Sequence, residues 1–140
     1  MKVPTSPHPR SKKTYPSIRF RIDFGPKSAV GPGKIALLEQ IEDCGSLSRA
    51  ARNLNMSYRR AWQLLDSVNR CFVEPLVLTS KGGRGGGGAK LTLLGERLIR
   101  VYRIFDVKTQ ARATQTFEPF KTNVPKKAHA AAPVVRLSNR

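Results

Sequence analysis

Residues 45–71 read GSLSRAARNLNMSYRRAWQLLDSVNRC, a stretch that predicts two helices joined by a tight corner. The first helix is short, and its inner face contains Leu47, Ala50, Ala51 and Leu54. Paired alanines are informative because small side chains let a second helix cross at a short interaxial distance. The pattern is that of a helix-turn-helix, and it favours a DNA-binding protein.

The second helix of this stretch separates into two faces when its residues are placed at about 100° per step. The apolar face contains Tyr58, Ala61, Trp62, Leu65, Val68 and Phe72. The polar face contains Arg59, Arg60, Gln63, Ser67 and Arg70. We therefore expect Trp62 to lie in the core, whereas Tyr58, in the first turn, could pack inward or reach a phosphate. Ser46 and Ser57 stand where N-caps of the two helices are expected.

The flanking sequence predicts the other elements. Apolar and charged residues alternate over residues 17–24, which indicates a half-buried strand, and the Gly- and Pro-rich residues 25–33 predict a loop that ends it. Residues 34–44 predict a helix that stops at Gly45. Residues 76–93 predict a β-hairpin, or wing, with a glycine-rich loop, and the early strand can join its sheet.

A final helix is predicted from residue 94 to about residue 113. Its apolar stripe consists of Leu94, Leu98, Val101, Tyr102 and Phe105, with Ile99 and Ile104 outside the stripe. A helix that is apolar on more than one side needs two partners, which here are its own core and a second subunit, or else deeper burial within the monomer. We expect Leu98, Val101, Tyr102 and Phe105 to contribute to a homodimer. The predicted fold class is mostly α with a small β-sheet, a winged helix-turn-helix with a long C-terminal helix.

Composition bounds the rest of the chain. Its 140 residues, 39% of them hydrophobic, suffice for one folded domain, which we place at residues 17–113. The net charge of +17 makes a polyanion the natural partner. Residues 1–16 hold four Lys or Arg and no acid, and residues 107–140 hold seven and one acid. We expect a disordered basic arm at 1–16 and a disordered basic tail at 114–140.

Several classes of function are disfavoured. The sequence has no run of about 18 apolar residues and no signal peptide, so we expect a cytoplasmic protein without a membrane partner. Two Cys and two His spread along the chain do not suit a metal site, and scattered acids do not suit catalysis. Gly83, Gly85 and Gly88 match GxGxxG by count, but a strand intervenes before the next helix. We expect neither an enzyme nor a cofactor.

Double-stranded DNA is the partner that explains these features together. Base readout is assigned to Arg59, Arg60 and Gln63 on the second helix, because Arg can pair with guanine and Gln with adenine. Contacts to the DNA backbone or a groove are assigned to Ser46, Ser57, Tyr58, Lys81, Arg84 and Lys90. The basic ends leave a non-specific architectural or RNA-associated protein as the alternative, and a protein-interaction adaptor as a third class.

Three segments resemble a known family: GPGKIALLEQIEDC, GSLSRAARNLNMSYRRAW and GGRGGGGAKLTLLGERLI. They are similar to the N-terminal winged helix-turn-helix domain of ModE-type molybdate-responsive transcriptional regulators, bacterial relatives of LysR-type regulators in this domain. The likeness covers about residues 17–106. Its most specific marks are SYxxAW at 57–62 and the glycine run at 82–88, followed by Leu91, Thr92, Gly95, Arg97 and Leu98.

The resemblance implies sequence-specific promoter binding by a homodimer that pairs through the long C-terminal helix. Full-length members of that family place oxyanion-binding domains of small-barrel type after this one. Residues 114–140 are instead a polar tail. We therefore expect no oxyanion-binding domain in this chain, and we carry over the DNA-binding positions without molybdate sensing.

Overall fold

The computed structural model describes residues 15–81 and 87–126. Its elements are β1 (Ile22–Gly25), β2 (Ser28–Val30), α1 (Pro32–Cys44), α2 (Leu47–Asn53), α3 (Tyr58–Asn69), β3 (Val77–Thr79), β4 (Ala89–Leu91), α4 (Leu93–Phe117) and a 3-10 helix (Glu118–Asn123). The arrangement is mostly helical, with two small antiparallel sheets and a long C-terminal helix. This confirms the predicted fold class.

Local capping signals set the corners between the first three helices. Gly45 ends α1 in the left-handed conformation, with φ 64°, and its N–H donates to the carbonyl of Ile41. The Ser46 hydroxyl accepts from the Arg49 N–H at 3.3 Å and so caps α2. The Ser57 hydroxyl accepts from the Arg60 N–H at 3.1 Å and caps α3. These predicted helix starts and stops are confirmed.

Small residues bring the helices together. Ala50, Ala51 and Ala61 are buried, so α2 and α3 cross at close range without a large side chain between them. Below that crossing, the core contains the apolar residues of α1 and α3 and continues into the wing and α4. The alanine pair therefore fixes how α3 is presented at the surface.

The N-terminal strand differs from its prediction in length and in partner. Only Ile22–Gly25 forms a strand, and it pairs with β2, which lies inside the segment expected to be a loop. The two strands form a sheet separate from the wing. The chain leading into β1 packs on α4, where the rings of Phe20 and Tyr102 stack with centroids 4.7 Å apart. The prediction that this strand joins the wing is wrong.

The wing is tied to both ends of the helix-turn-helix. Strands β3 and β4 pair antiparallel, with Val77 opposite Leu91. The Asn69 side chain, at the end of α3, accepts from the N–H groups of Leu76 and Val77 and donates to the Val77 carbonyl, each at 3.0 Å. The Gly45 carbonyl accepts from the Ala89 N–H at 2.9 Å. These bonds fix the base of the wing beside α2 and α3.

The long helix α4 begins with a cap and ends later than expected. The Thr92 hydroxyl accepts from the Gly95 N–H at 3.1 Å and donates to the Pro75 carbonyl at 2.8 Å. The helix continues through Phe117, four residues beyond the predicted end, and gives way to a 3-10 helix that contains Pro119. Within the described ranges, no helix has the length and apolar character needed to cross a bilayer.

An ion pair joins α4 to α1. The Arg103 guanidinium donates to both carboxylate oxygens of Glu39, at 2.7 Å for the second, and to Asp106 at 3.1 Å. The hydrogen bond to Glu39 raises the pKa of Arg103 above its ordinary value, so the guanidinium keeps its charge although it is partly buried. This bidentate pair links the middle of α4 to α1 with a defined geometry.

Candidate nucleic-acid interface

The outer face of α3 presents the side chains assigned to base readout. Arg59, Arg60 and Gln63 are exposed in the first two turns of the helix. The opposite face is buried through Ala61, Leu65 and Val68. Because a recognition helix contacts base edges with its N-terminal residues, this half of α3 has donors where a major groove would meet it.

An ion pair at the C-terminal end of α3 follows these donors along the chain. Arg70 contacts the Asp66 carboxylate at 3.0 Å, and both side chains are exposed. Such a solvated pair contributes little to stability. Its consequence is electrostatic, because it neutralises an acid on the helix that carries the three donors.

Trp62 does not lie in the core, and that prediction is wrong. Its side chain is 42% exposed, and its neighbour Tyr58 is 54% exposed. The two rings meet edge to face with centroids 6.1 Å apart. The apolar arc of α3 is narrower than the sequence suggested, since the buried residues of the helix are Ala61, Leu65 and Val68. Tyr58 likewise points outward rather than inward.

The wing presents two of its assigned cations to solvent. Lys81 is exposed at the start of the glycine-rich loop, and Lys90 is exposed on β4, after the loop. The loop is closed at its base, where Ser80 N–H donates to the Gly88 carbonyl at 2.9 Å and Gly88 N–H donates to the Ser80 hydroxyl at 3.0 Å. Arg84, the other assigned wing cation, lies outside the described residues.

An open cleft of about 1040 Å³ separates α2 and α3 from the wing. Ser46 and Tyr58, both assigned to backbone contacts, line it together with Lys81. The sequence reasoning missed two further cations here, Arg49 and Arg52, which are exposed on α2. Their signal was present, because residues three apart on a short helix share one face, opposite to Ala50 and Ala51.

The residues assigned to dimerisation differ in burial: some pack inside the monomer and others are exposed on its surface. Tyr102 is only 6% exposed, and its hydroxyl donates to the Phe20 carbonyl at 3.2 Å. Burial raises the pKa of the Tyr102 phenol, which therefore remains a donor. Leu98 is half-buried, whereas Val101 and Phe105 are 56% and 48% exposed.

The exposed pair borders an apolar groove between α4 and the first hairpin. The groove has a volume of about 240 Å³ and is lined by Phe20, Ile22, Phe24, Val30, Leu98, Val101, Tyr102 and Phe105. Ile104, on the neighbouring side of α4, is also exposed. Helix α4 therefore packs into the core of its own chain through Ile99 and Tyr102, and a second apolar face of the helix is exposed to solvent.

The fold and the exposed basic helix define a winged helix-turn-helix protein. Its relatives point to one type. The chain is 40% identical over 93 residues to the molybdenum transport protein ModE of Azotobacter vinelandii. The aligned residues cover 66% of this chain and 34% of that protein. It is 38% identical over 84 residues to the transcriptional regulator ModE of Haemophilus influenzae, with 60% of this chain and 32% of the relative covered.

A third relative is the DNA-binding transcriptional dual regulator ModE of Escherichia coli K12, 42% identical over 71 residues, with 51% of this chain and 27% of that protein covered. No family model matches the chain. The chain spans about a third of the length of the curated relatives it matches, and the matches fall in their N-terminal part. The resemblance inferred from the motifs is thus confirmed: the matched part of the chain is similar to the N-terminal part of proteins named ModE.

Proposed function

We propose that this protein is a sequence-specific DNA-binding transcription regulator. The observation that carries the proposal is the presentation of Arg59, Arg60 and Gln63 on the solvent face of a capped helix whose other face is buried. An arginine or a glutamine that contacts a base edge discriminates by about 1–3 kcal/mol. Relatives named as transcriptional regulators support the same reading.

Backbone contacts complete the proposed interface. Lys81 and Lys90 flank the wing loop, and Ser46, Ser57 and Tyr58 lie at or near the N-termini of α2 and α3. We assign these residues to phosphates or a groove, where they position α3 without reading sequence. Arg84 belongs to the same assignment on sequence grounds alone.

A homodimer is the second part of the proposal. Two copies paired through the open apolar face of α4 would cover Val101 and Phe105, which a monomer leaves in water. Pairing also relates two recognition helices by a two-fold axis. The expected DNA site is therefore a rough palindrome whose half-sites lie about one helical turn apart.

Arg60→Ala and Lys81→Ala are expected to separate readout from positioning. On a duplex recovered by selection from a random pool, Arg60→Ala should lose about tenfold or more in affinity, while a scrambled duplex changes much less. Lys81→Ala should weaken both duplexes equally and reduce the slope of log affinity against log salt by about one. Gel shifts at several salt concentrations measure both effects.

Arg97→Ala serves as the matched control, because Arg97 is an exposed cation that lies on α4, outside α3, and does not line the cleft. It should leave the preference for the selected duplex unchanged. Equal losses on both duplexes for Arg60→Ala would remove that residue from base readout.

A further inference from the structure

Tyr58 and Trp62 meet edge to face, and we name the two rings the aromatic pair; the interface proposed above uses Tyr58 and gives Trp62 no role. The two side chains are four residues apart on one side of α3, and together they expose a large apolar surface beside a row of cations. Burial of an aromatic ring contributes substantially to stability, so its exposure at this place requires an explanation. The position of the aromatic pair, in the cleft between α3 and the wing, supplies that explanation.

The aromatic pair forms one wall of the cleft between α3 and the wing. Arg49 and Arg52 stand on the α2 side of that cleft, and Lys81 stands on the wing side. None of the described residues that line the cleft is acidic. A surface of three cations around two apolar rings matches a ligand in which negative groups alternate with apolar ones.

A strand of duplex DNA has that alternation, since phosphates follow deoxyriboses along it. When α3 occupies the major groove and the wing reaches an adjacent groove, the strand that separates the two grooves must cross between them. The cleft is the opening between those two elements, and the base of the wing is held in place because Leu76 N–H donates to the Asn69 side chain and Ala89 N–H donates to the Gly45 carbonyl.

We propose that this cleft binds one sugar–phosphate strand of the DNA, with the Trp62 ring packed against deoxyribose and Arg49, Arg52 and Lys81 at the flanking phosphates. This inference rests on the proposed function. It makes Trp62 a positioning residue that fixes the depth and rotation of α3 in the groove. Ring-to-sugar contact needs no particular base, so the contribution is independent of sequence.

The helical position of Trp62 supports a backbone contact over a base contact. In an α-helix, Trp62 is turned about 100° from Gln63 and about 60° from Arg59, whereas Arg59 and Gln63 differ by only about 40°. The aromatic pair therefore flanks the readout face on the wing side instead of belonging to it. Single-stranded nucleic acid would stack its bases on such rings, which gives a second mode that experiment can distinguish.

Trp62 is the single tryptophan of the chain, so the tryptophan fluorescence of the unmodified protein, excited where tyrosine does not absorb, reports on this cleft. Titration with the selected duplex and with a scrambled duplex should change Trp62 emission in step with binding, and should reduce quenching by acrylamide on both. An unpaired strand of equal length should have little effect at the same concentration.

A reporter placed elsewhere provides the control. In a Trp62→Phe background, Phe117→Trp puts the only tryptophan on the last turn of α4, outside the cleft, where duplex binding should leave acrylamide quenching unchanged. Trp62→Phe keeps a ring in the cleft and should retain most of the affinity. Trp62→Ala should weaken both duplexes by about tenfold, which corresponds to about 1.4 kcal/mol.

The outcomes separate this inference from the proposed function. Duplex binding in gel shifts with unchanged Trp62 emission would overturn the cleft assignment alone, as would full affinity in Trp62→Ala. If Trp62→Ala weakened binding to the selected duplex alone, Trp62 would be a base-reading residue and the cleft assignment would be wrong. Stronger protection of Trp62 from acrylamide by the unpaired strand than by a duplex would also overturn the assignment. Failure of every duplex to bind at low salt would overturn both proposals.

Discussion

Val101→Asp is expected to give monomers at concentrations where we expect the unaltered chain to form a dimer of two 15.5 kDa protomers. Val101 is 56% exposed and borders the apolar groove between α4 and the first hairpin. In a dimer paired through this face, the new carboxylate would be buried without a partner, which is strongly unfavourable. In the monomer it would stay in water, so the fold should survive. Analytical ultracentrifugation measures the change.

The consequence for DNA binding is expected to be larger still. A dimer engages both half-sites in one linked event, and such linkage multiplies affinity by about 10²–10⁴. Val101→Asp should weaken binding to a duplex with two half-sites by about that factor, while its binding to a single half-site stays unchanged. Comparing the two duplexes separates lost pairing from a damaged readout surface.

Val73→Asp is the matched control, because Val73 is fully exposed, follows the end of α3 and does not line the groove. Val73→Asp should leave both the mass of the particle in solution and its affinity for DNA unchanged. A Val101→Asp variant that remains dimeric would show that the second copy docks elsewhere.

Gly95→Ala is expected to destabilise the fold by about 2 kcal/mol net. Here α4 passes directly over the start of the wing, and a methyl group would overlap the Leu76 carbonyl oxygen and lie 3.3 Å from its carbonyl carbon. That oxygen is held in place because it accepts from the Thr92 N–H at 2.9 Å. Overpacking costs about 1–3 kcal/mol or more, and a backbone neighbour places this site at the upper end. Alanine regains only about 1 kcal/mol in helix propensity.

Gly33→Ala isolates the propensity effect. Gly33 lies in α1, and a methyl group there would meet nothing within 4 Å. This variant should be unchanged or more stable by up to about 1 kcal/mol. Urea unfolding of both variants gives the comparison, and equal stability of the two would contradict a close crossing at Gly95.

Features that depend on a few neighbouring residues could be predicted from the sequence. Gly45, Ser46 and Ser57 each act through hydrogen bonds to backbone groups within four residues, so the corners of the helix-turn-helix followed from their spacing. The antiparallel wing was predictable for a similar reason, because its strands are joined by one loop.

Features that depend on distant parts of the chain were missed. The place of Trp62 depends on how closely α2 approaches α3, and helical periodicity gives the direction of a side chain but not the width of the buried arc. The partner of β1 was missed because Ser28–Val30 is only three residues long and sits among turn-forming residues. The ring of Tyr102, which packs against the chain leading into β1, lies 82 residues from its partner Phe20 along the sequence.

The candidate interface was predicted in the same uneven way. The exposure of Arg59, Arg60 and Gln63 followed from the polar face of one helix. The cleft did not, since Arg49, Trp62 and Lys81 come from three elements that only the folded chain brings together. Surface sites assembled from separate segments leave no periodic signal in the sequence.

Selection of bound DNA from a random duplex pool tests the central claim most directly, since it presumes neither target nor symmetry. The account predicts enrichment of a rough palindrome whose half-sites are centred about one helical turn apart, 10–10.5 base pairs. Recovery of an unenriched pool by a protein that nonetheless binds duplexes would contradict sequence-specific recognition. It would identify the chain as a non-specific, charge-driven binder.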